Sequence, residues 1–283
     1  MRKIGIIDYF IDEWHSNTYL SLFEKANEEL GLDFKICYGW AELDTYEGKL
    51  STEEWCKKNG IEQCKTIEEL CEKSDNILIL APANPETHLK YAETALSYGK
   101  NTYIDKTFAP DYESAKAIFE LGKKYGTKFF STSALRFTKE TDDLSKVKSL
   151  QVWGAGRKLE EYVIHQIEMA VKIMDEKANT VRVFNRDKQA NVIIEFGDKV
   201  VGLNYSHSEA SFGIDAQTDG EGLNLYRPIT DGDYFYKLCK AILKFFDDGI
   251  EPFNPEQTLS VIAIRDAIIK GMSLPFGEPV KVK

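Results

Sequence analysis

Short apolar runs alternate with amphipathic stretches through the first half of the chain. Residues 3–7 (KIGII) are predicted to form a buried strand and residues 17–30 a helix stopped by Gly31. Residues 33–38 form a second strand, and residues 66–72 a short helix opened by the capping-box pattern Thr66-x-x-Glu69. Residues 76–80 (NILIL) are apolar almost throughout, the pattern of a strand covered on both faces of its sheet. A helix over 85–98 ended by Gly99, a strand over 102–104, a helix over 112–125 ended by Gly126 and a strand over 128–133 follow. Strands and helices alternating across such short loops demand parallel strands with right-handed crossovers, a doubly wound Rossmann-like sheet.

The pattern changes after residue 138. Residues 150–153, 180–185, 191–196 and 200–206 read as strands separated by turns, with a hairpin at Gly197-Asp198. Helices are predicted over 159–174, 234–246 and 255–270, and residues 279–283 supply a last strand. The expected fold is α/β: a Rossmann-like domain over 1–138, then an α+β domain with a largely antiparallel sheet over 139–283. A length of 283 residues suits two such domains.

Composition narrows the function classes. The 36 basic and 46 acidic residues give a net charge of −10, which a nucleic-acid backbone would repel, and no local basic patch offsets it. The apolar run near the start, residues 4–7, is too short for a signal peptide or a membrane span. The five cysteines form no C-x-x-C pair, so neither a disulfide framework nor a thiolate zinc site is expected. The chain reads as a reduced, cytoplasmic protein with a small-molecule substrate, and neither nucleic acid nor membrane as partner.

In a doubly wound sheet the ligand sits beyond the carboxyl ends of the strands. Ala81 to His88 follow one strand, Asp105-Lys106-Thr107-Phe108 the next, and Ala134-Leu135-Arg136-Phe137 the one after. A lysine in such a crevice brings an ammonium to a substrate hydroxyl, helping to remove its proton or to hold the oxyanion. A solvated surface lysine is the alternative, and position alone leaves both open. His165 has Glu161 at i−4 and Glu168 at i+3, on one helix face. A histidine between carboxylates handles protons, although the same spacing also describes a solvated face.

Three stretches resemble the Gfo/Idh/MocA family of nicotinamide-dependent sugar and polyol dehydrogenases. Residues 81–109 (APANPETHLKYAETALSYGKNTYIDKTFA) are similar to its proline–histidine loop, helix, Ala-Leu-x-x-Gly-Lys turn, strand and Glu-Lys-Pro, with Asp105-Lys106-Thr107 in the last position. SALRF (133–137) resembles its Arg-Phe turn, and EYVIHQIE (161–168) its Asp-x-x-x-His-x-x-Asp helix. The closing Gly249, Pro252, helix and Pro279-Val280 are similar too. The resemblance implies an oxidoreductase moving a hydride between NAD or NADP and a sugar, polyol or related hydroxy/keto compound. It implies that Lys106 contacts nicotinamide ribose and substrate, with His165 as acid/base partner and Glu161 as the carboxylate beside it. Pro82, Asn84, His88 and Asp105 would line the cofactor, and Arg136 would face the substrate. The family's habit of burying the open sheet of the second domain implies a homo-oligomer.

One segment departs from the family. Its first strand runs into Gly-x-Gly-x-x-Gly/Ala, whose bare backbone lets a pyrophosphate approach a helix N-terminus. Here Asp8, Phe10 and Glu13 occupy those positions, with Asp12 between them. Two like charges ~4 Å apart repel by about 4 kcal/mol at an effective dielectric near 20. The second strand ends at Tyr38-Gly39-Trp40, leaving Glu42 as the nearest acid for an adenosine ribose. Three readings follow: a rearranged turn with the cofactor held by later loops; a non-redox, dehydrogenase-like protein that binds a small molecule; or a metal held by Asp8, Asp12, Glu13 and His15. A solvated acidic loop capping a helix at Ser16 or Asn17, with Tyr9, Phe10 and Trp14 as packing residues, is the plainer alternative.

Overall fold

The computed structural model describes residues 1–144, 147–186, 188–209, 211–218 and 224–283. Two compact units emerge: Met1–Thr132 with Tyr236–Pro255, and Ser133–Phe235 with Glu256–Lys283. The first crossing falls between Thr132 and Ser133, and residues 236–255 return to the first unit. That segment is tied to the first unit by Lys128 Nζ donating to Gly249 O at 2.7 Å, and by Phe245 packed edge-on to Phe130.

The first unit contains β1 (Arg2–Asp8), α1 (Trp14–Leu30), β2 (Phe34–Ala41), α2 (Thr52–Asn59), β3 (Glu62–Gln63), α3 (Ile67–Lys73), β4 (Asn76–Ile79), α4 (His88–Ala95), β5 (Thr102–Ile104), α5 (Tyr112–Tyr125) and β6 (Phe129–Phe130). Its six strands are parallel in the order β3-β2-β1-β4-β5-β6. The chain order reverses between β1 and β4, the position where such sheets open a ligand crevice. Ile4, Ile6 and Ile7 of β1 and Ile77, Leu78 and Ile79 of β4 are fully buried, each stabilising the fold by roughly 1.5–3 kcal/mol. Gly31, Gly60, Gly99 and Gly126 adopt positive φ just beyond their helices. The predicted helix over 85–98 is α4 flanked by single 3-10 turns, Pro85–Thr87 and Leu96–Tyr98. The predicted strand over 128–133 is paired only at Phe129–Phe130.

Gly5, within β1, marks a close approach rather than a ligand turn. A Cβ there would lie 2.4 Å from Ser74 Oγ and 2.5 Å from Leu70 Cδ2, so β1 and the end of α3 meet only because the side chain is absent. Gly5→Ala is expected to cost about 1–3 kcal/mol by overpacking, read as a lowered urea midpoint at unchanged slope.

The second unit contains β7 (Val147–Ala155), α6 (Leu159–Met174), β8 (Thr180–Arg186), β9 (Gln189–Phe196), β10 (Lys199–Ser206), β11 (Gly213–Thr218), β12 (Asn224–Pro228), the start of α7 (Tyr234–Asp248), α8 (Glu256–Met272) and β13 (Pro279–Lys281). Its sheet runs β12-β11-β7-β10-β9-β8-β13, antiparallel except for β7 beside β10. The two-residue turn Gly197-Asp198 joins β9 to β10 as expected. Val163, Ile167, Ala170 and Val171 of α6 are buried, as are Leu150 and Val152 of β7. This is the α/β fold read from the sequence, with a Rossmann-like first sheet and a largely antiparallel second.

Candidate active site

In the first unit the carboxyl ends of β1, β4 and β5 gather the unusual chemistry. Glu13 is the N-cap of α1: Oε1 accepts from Ser16 N at 2.7 Å and Oε2 lies 3.0 Å from His15 Nδ1. Beneath it Asp8 is 1% exposed. Its Oδ1 accepts from Tyr9 N at 2.7 Å and Ala81 N at 3.0 Å, and its Oδ2 from Ser16 Oγ at 2.9 Å. The helix is therefore capped by Glu13 rather than by Ser16 or Asn17, and the cap is buried rather than solvated. Asp12 turns away, accepting from Asn17 Nδ2 and Leu50 N. Each carboxylate thus has its own protein donors. Among the described residues no three His, Cys, Asp or Glu side chains are placed to hold a metal ion, so the metal reading of this turn is not sustained.

Burial, then the nearby Glu13 charge, pushes the Asp8 carboxyl well above the usual range, against the hydrogen bonds from Ser16, Tyr9 and Ala81. Burial also works to raise Glu13, but the bonds from His15 and Ser16 hold it below its ordinary value. A carboxyl raised on folding stabilises fully below its unfolded pKa, near 3.9 for Asp, and that contribution is lost as pH rises through the folded value. Asp8→Asn keeps an acceptor for both backbone donors and offers its amide to Ser16 Oγ. The variant is expected to melt a few degrees above the parent at pH 8, at roughly 2–4 °C per kcal/mol, with the gap narrowing by pH 5. Equal gaps at the two pH values would refute the assignment.

After β4 and β5, Lys106 Nζ donates to Pro82 O at 3.2 Å, so two of the sequence candidates meet. Asp105 is buried: Tyr103 Oη donates to Oδ1 at 3.0 Å, while Oδ2 has no hydrogen-bond partner and lies 3.8 Å from His15 Nε2. His88 is fully buried, with Nε2 2.8 Å from Leu80 O and Nδ1 3.0 Å from Phe108 O. Burial lowers its pKa against those carbonyls. Both ring nitrogens face backbone, so His88 clamps the loop after β4 to the loop after β5. Asn84 is likewise locally engaged, its Nδ2 donating to Glu86 Oε1.

In the second unit His165 Nδ1 lies 2.7 Å from Ser133 Oγ, which also accepts from Leu135 N at 3.2 Å. Tyr162 and Phe212 stand edge-on to the ring, at 5.9 and 5.7 Å between centroids. The carboxylates expected beside His165 have other partners. Glu161 is exposed and pairs with Lys158 at 3.5 Å, and Glu168 is buried against Arg136 at 3.1 Å. Ser133 is the partner that sequence reasoning missed; it sits 32 residues away in the chain, where no spacing rule reaches. Arg136 is 4% exposed, and burial lowers its pKa against the pull of Glu168. A cavity of about 510 Å³ in the same unit is lined by Trp153, Tyr205, Phe212 and Tyr226 together with Asn191 and Asn204. Burial pushes the thiols of Cys56 and Cys71 to about 12 and that of Cys64 to about 11, which leaves them poor nucleophiles at neutral pH.

Residues 45–133 match the model of the oxidoreductase family GFO_IDH_MocA, described as an NAD-binding Rossmann fold. Over that stretch the chain is similar to this family. The description of that model, an NAD-binding Rossmann fold, agrees with the nicotinamide cofactor expected from the motifs. The uncharacterized oxidoreductase YhhX of Escherichia coli strain K12 is 33% identical over 60 residues, 21% of this chain and 17% of YhhX. The chain thus aligns with less than a fifth of that relative's length. GenD2 from gentamicin A biosynthesis, solved in complex with NAD, superposes with a TM-score of 0.78 at 11% identity, over 100% of this chain and 96% of GenD2. A putative myo-inositol dehydrogenase from Sinorhizobium meliloti 1021 superposes with a TM-score of 0.75 at 14% identity, over 100% of each chain. At such identities the likeness is one of fold. Among the described residues no helix is long and apolar enough to cross a membrane.

The matched stretch includes Lys106 and begins well past the turn between β1 and α1. That turn does not fit the pyrophosphate of a dinucleotide. The donors at the helix N-terminus are taken by Glu13 and Asp8, and no glycine leaves the backbone bare.

Proposed function

We propose that this oxidoreductase acts on a small hydroxy or keto compound of the sugar or polyol class, with Lys106 acting at the reacting oxygen and His165 as an acid–base group. The observation that carries the reading is the half-buried Lys106 ammonium beside Pro82 O, at the carboxyl end of β5 within the stretch matched by the family. An ammonium there stabilises an alkoxide or assists loss of a hydroxyl proton. The sugar or polyol class is supported by the cavity that shares Phe212 with the His165 ring. Its named lining is aromatic faces and side-chain amides, and the ligand it suits is uncharged and hydroxylated. The myo-inositol dehydrogenase assignment of one structural neighbour points the same way. Purified protein assayed against a panel of sugars and polyols with NAD and with NADP is expected to reduce the nicotinamide with at least one of them. No turnover with any member, in either direction, would refute the reading.

A second reading, a non-redox protein that binds the same class of compound, is favoured by the carboxylates of the β1–α1 turn. Calorimetric binding of a polyol without turnover distinguishes the two. A homo-oligomer remains our expectation from the family resemblance, to be checked by light scattering.

A further inference from the structure

The turn between β1 and α1 holds carboxylates for which the proposed reaction has no use. Its neighbours, all within the first unit, describe an anion site that the chain fills itself. Ser16 N, Ser16 Oγ and Ala81 N are donors at the α1 N-terminus and at the point where β1 and β4 diverge. An anion at a helix N-terminus is held by donors of this kind. Here Glu13 takes the first and Asp8 the other two. A third carboxylate lies nearby: buried Asp105 Oδ2 has no hydrogen-bond partner and lies 3.8 Å from Nε2 of His15, whose Nδ1 is 3.0 Å from Glu13 Oε2. The side toward β2, along which a dinucleotide's adenosine runs in this fold, is closed by backbone. Glu42 N donates to Asp8 O at 3.1 Å and Leu43 N to Tyr9 O at 2.7 Å. Leu50 N donates to Asp12 Oδ2 at 3.0 Å, and Tyr46 stacks on Phe10 with 4.8 Å between ring centroids.

We propose that Asp8 and Glu13 are an internal anion standing in the place of the dinucleotide pyrophosphate, and that they hold NAD and NADP to weak binding. The proposal rests on the family reading of the first unit, but its readout is binding, so an absence of dehydrogenase activity does not bear on it. Charge and volume both act. The Glu13 carboxylate repels the phosphates, Asp8 occupies donors that would meet them, and Glu13 fills the space a glycine leaves open. A ligand without phosphate escapes the first of these penalties.

The test is calorimetric titration of the full chain with NADH and, separately, with adenosine. The unaltered protein is expected to bind NADH more weakly than about 0.1 mM, a free energy below roughly 5.5 kcal/mol in magnitude. Glu13→Gln retains an acceptor for Ser16 N and removes the charge. Glu13→Gly removes both charge and volume. At least one of them is expected to bind NADH about tenfold tighter, equivalent to about 1.4 kcal/mol, and Glu13→Gln is expected to leave adenosine binding unchanged. Thermal melts confirm that each variant is folded, and the glutamine variant carries the test if the glycine variant is not. Micromolar binding of NADH by the unaltered protein would overturn the proposal. So would folded variants that bind NADH no tighter, or a glutamine variant that gains as much for adenosine as for NADH.

Discussion

Lys106→Ala is expected to lower turnover of the sugar or polyol substrate about 10²–10⁴-fold, the range associated with removing a positioned proton-handling group. The fold should survive. Lys106 is half-buried at the end of β5 and its ammonium donates to Pro82 O, a bond whose net worth is about 0.5–1.5 kcal/mol. The kinetic split is informative. If the ammonium acts on charge that develops only in the transition state, kcat and kcat/KM fall together. A rise in KM at constant kcat would instead make Lys106 a binding residue. Loss of less than about threefold in both, from a variant that melts normally, would remove Lys106 from the chemistry.

The legible parts of this protein were those in which one local pattern fixes one local structure. NILIL, bounded by polar residues, admits little besides a buried strand, and Gly31, Gly99 and Gly126 stop their helices in the left-handed conformation. Thr66 caps α3 as its spacing predicts, although Glu69 returns its carboxylate to Lys65 N rather than to the cap residue. The missed elements were short or depended on distant partners. α2 carried a readable signal in Ser51-x-x-Glu54, a complete capping box, but its eight residues are mostly polar. β3 has two residues and exists only by pairing with β2.

The site was less legible because side-chain direction is decided by tertiary contacts. Spacing placed Glu161, His165 and Glu168 on one face of a helix, yet His165 meets Ser133 Oγ, Glu168 takes Arg136 and accepts from Ser133 N, and Glu161 takes Lys158. The acidic β1–α1 turn was recognised as a departure from the family. That its carboxylates cap α1 and bridge β1 to β4 from inside required Ala81, 73 residues beyond Asp8 in the chain.

The same contrast between spacing and partner decides what Arg136 does. Its side chain and that of Glu168 are 5% and 2% exposed and lie 3.1 Å apart, and Lys172 Nζ donates to Arg136 O at 2.9 Å from the same helix. Taking two charges out of water costs several kcal/mol each, and here each offsets the other's cost. Removing one takes this counter-charge from the other while it stays buried. Glu168→Ala is therefore expected to destabilise the protein by about 3–5 kcal/mol. At roughly 2–4 °C per kcal/mol that lowers the melting temperature on the order of 10 °C. Replacing both residues, Arg136→Met with Glu168→Met, removes both charges and keeps apolar volume, so it should recover most of the loss, as isosteric replacement of a buried pair commonly does. The double variant also tests the substrate role that the family resemblance implies for Arg136. If Arg136 acts as a buried strut, the restored double variant keeps the parental KM. If it binds substrate, KM rises even though stability returns. Single and double variants that all melt like the parent would show the pair to be energetically idle, and Arg136 would then have to be counted with Lys106 as a residue held for the ligand.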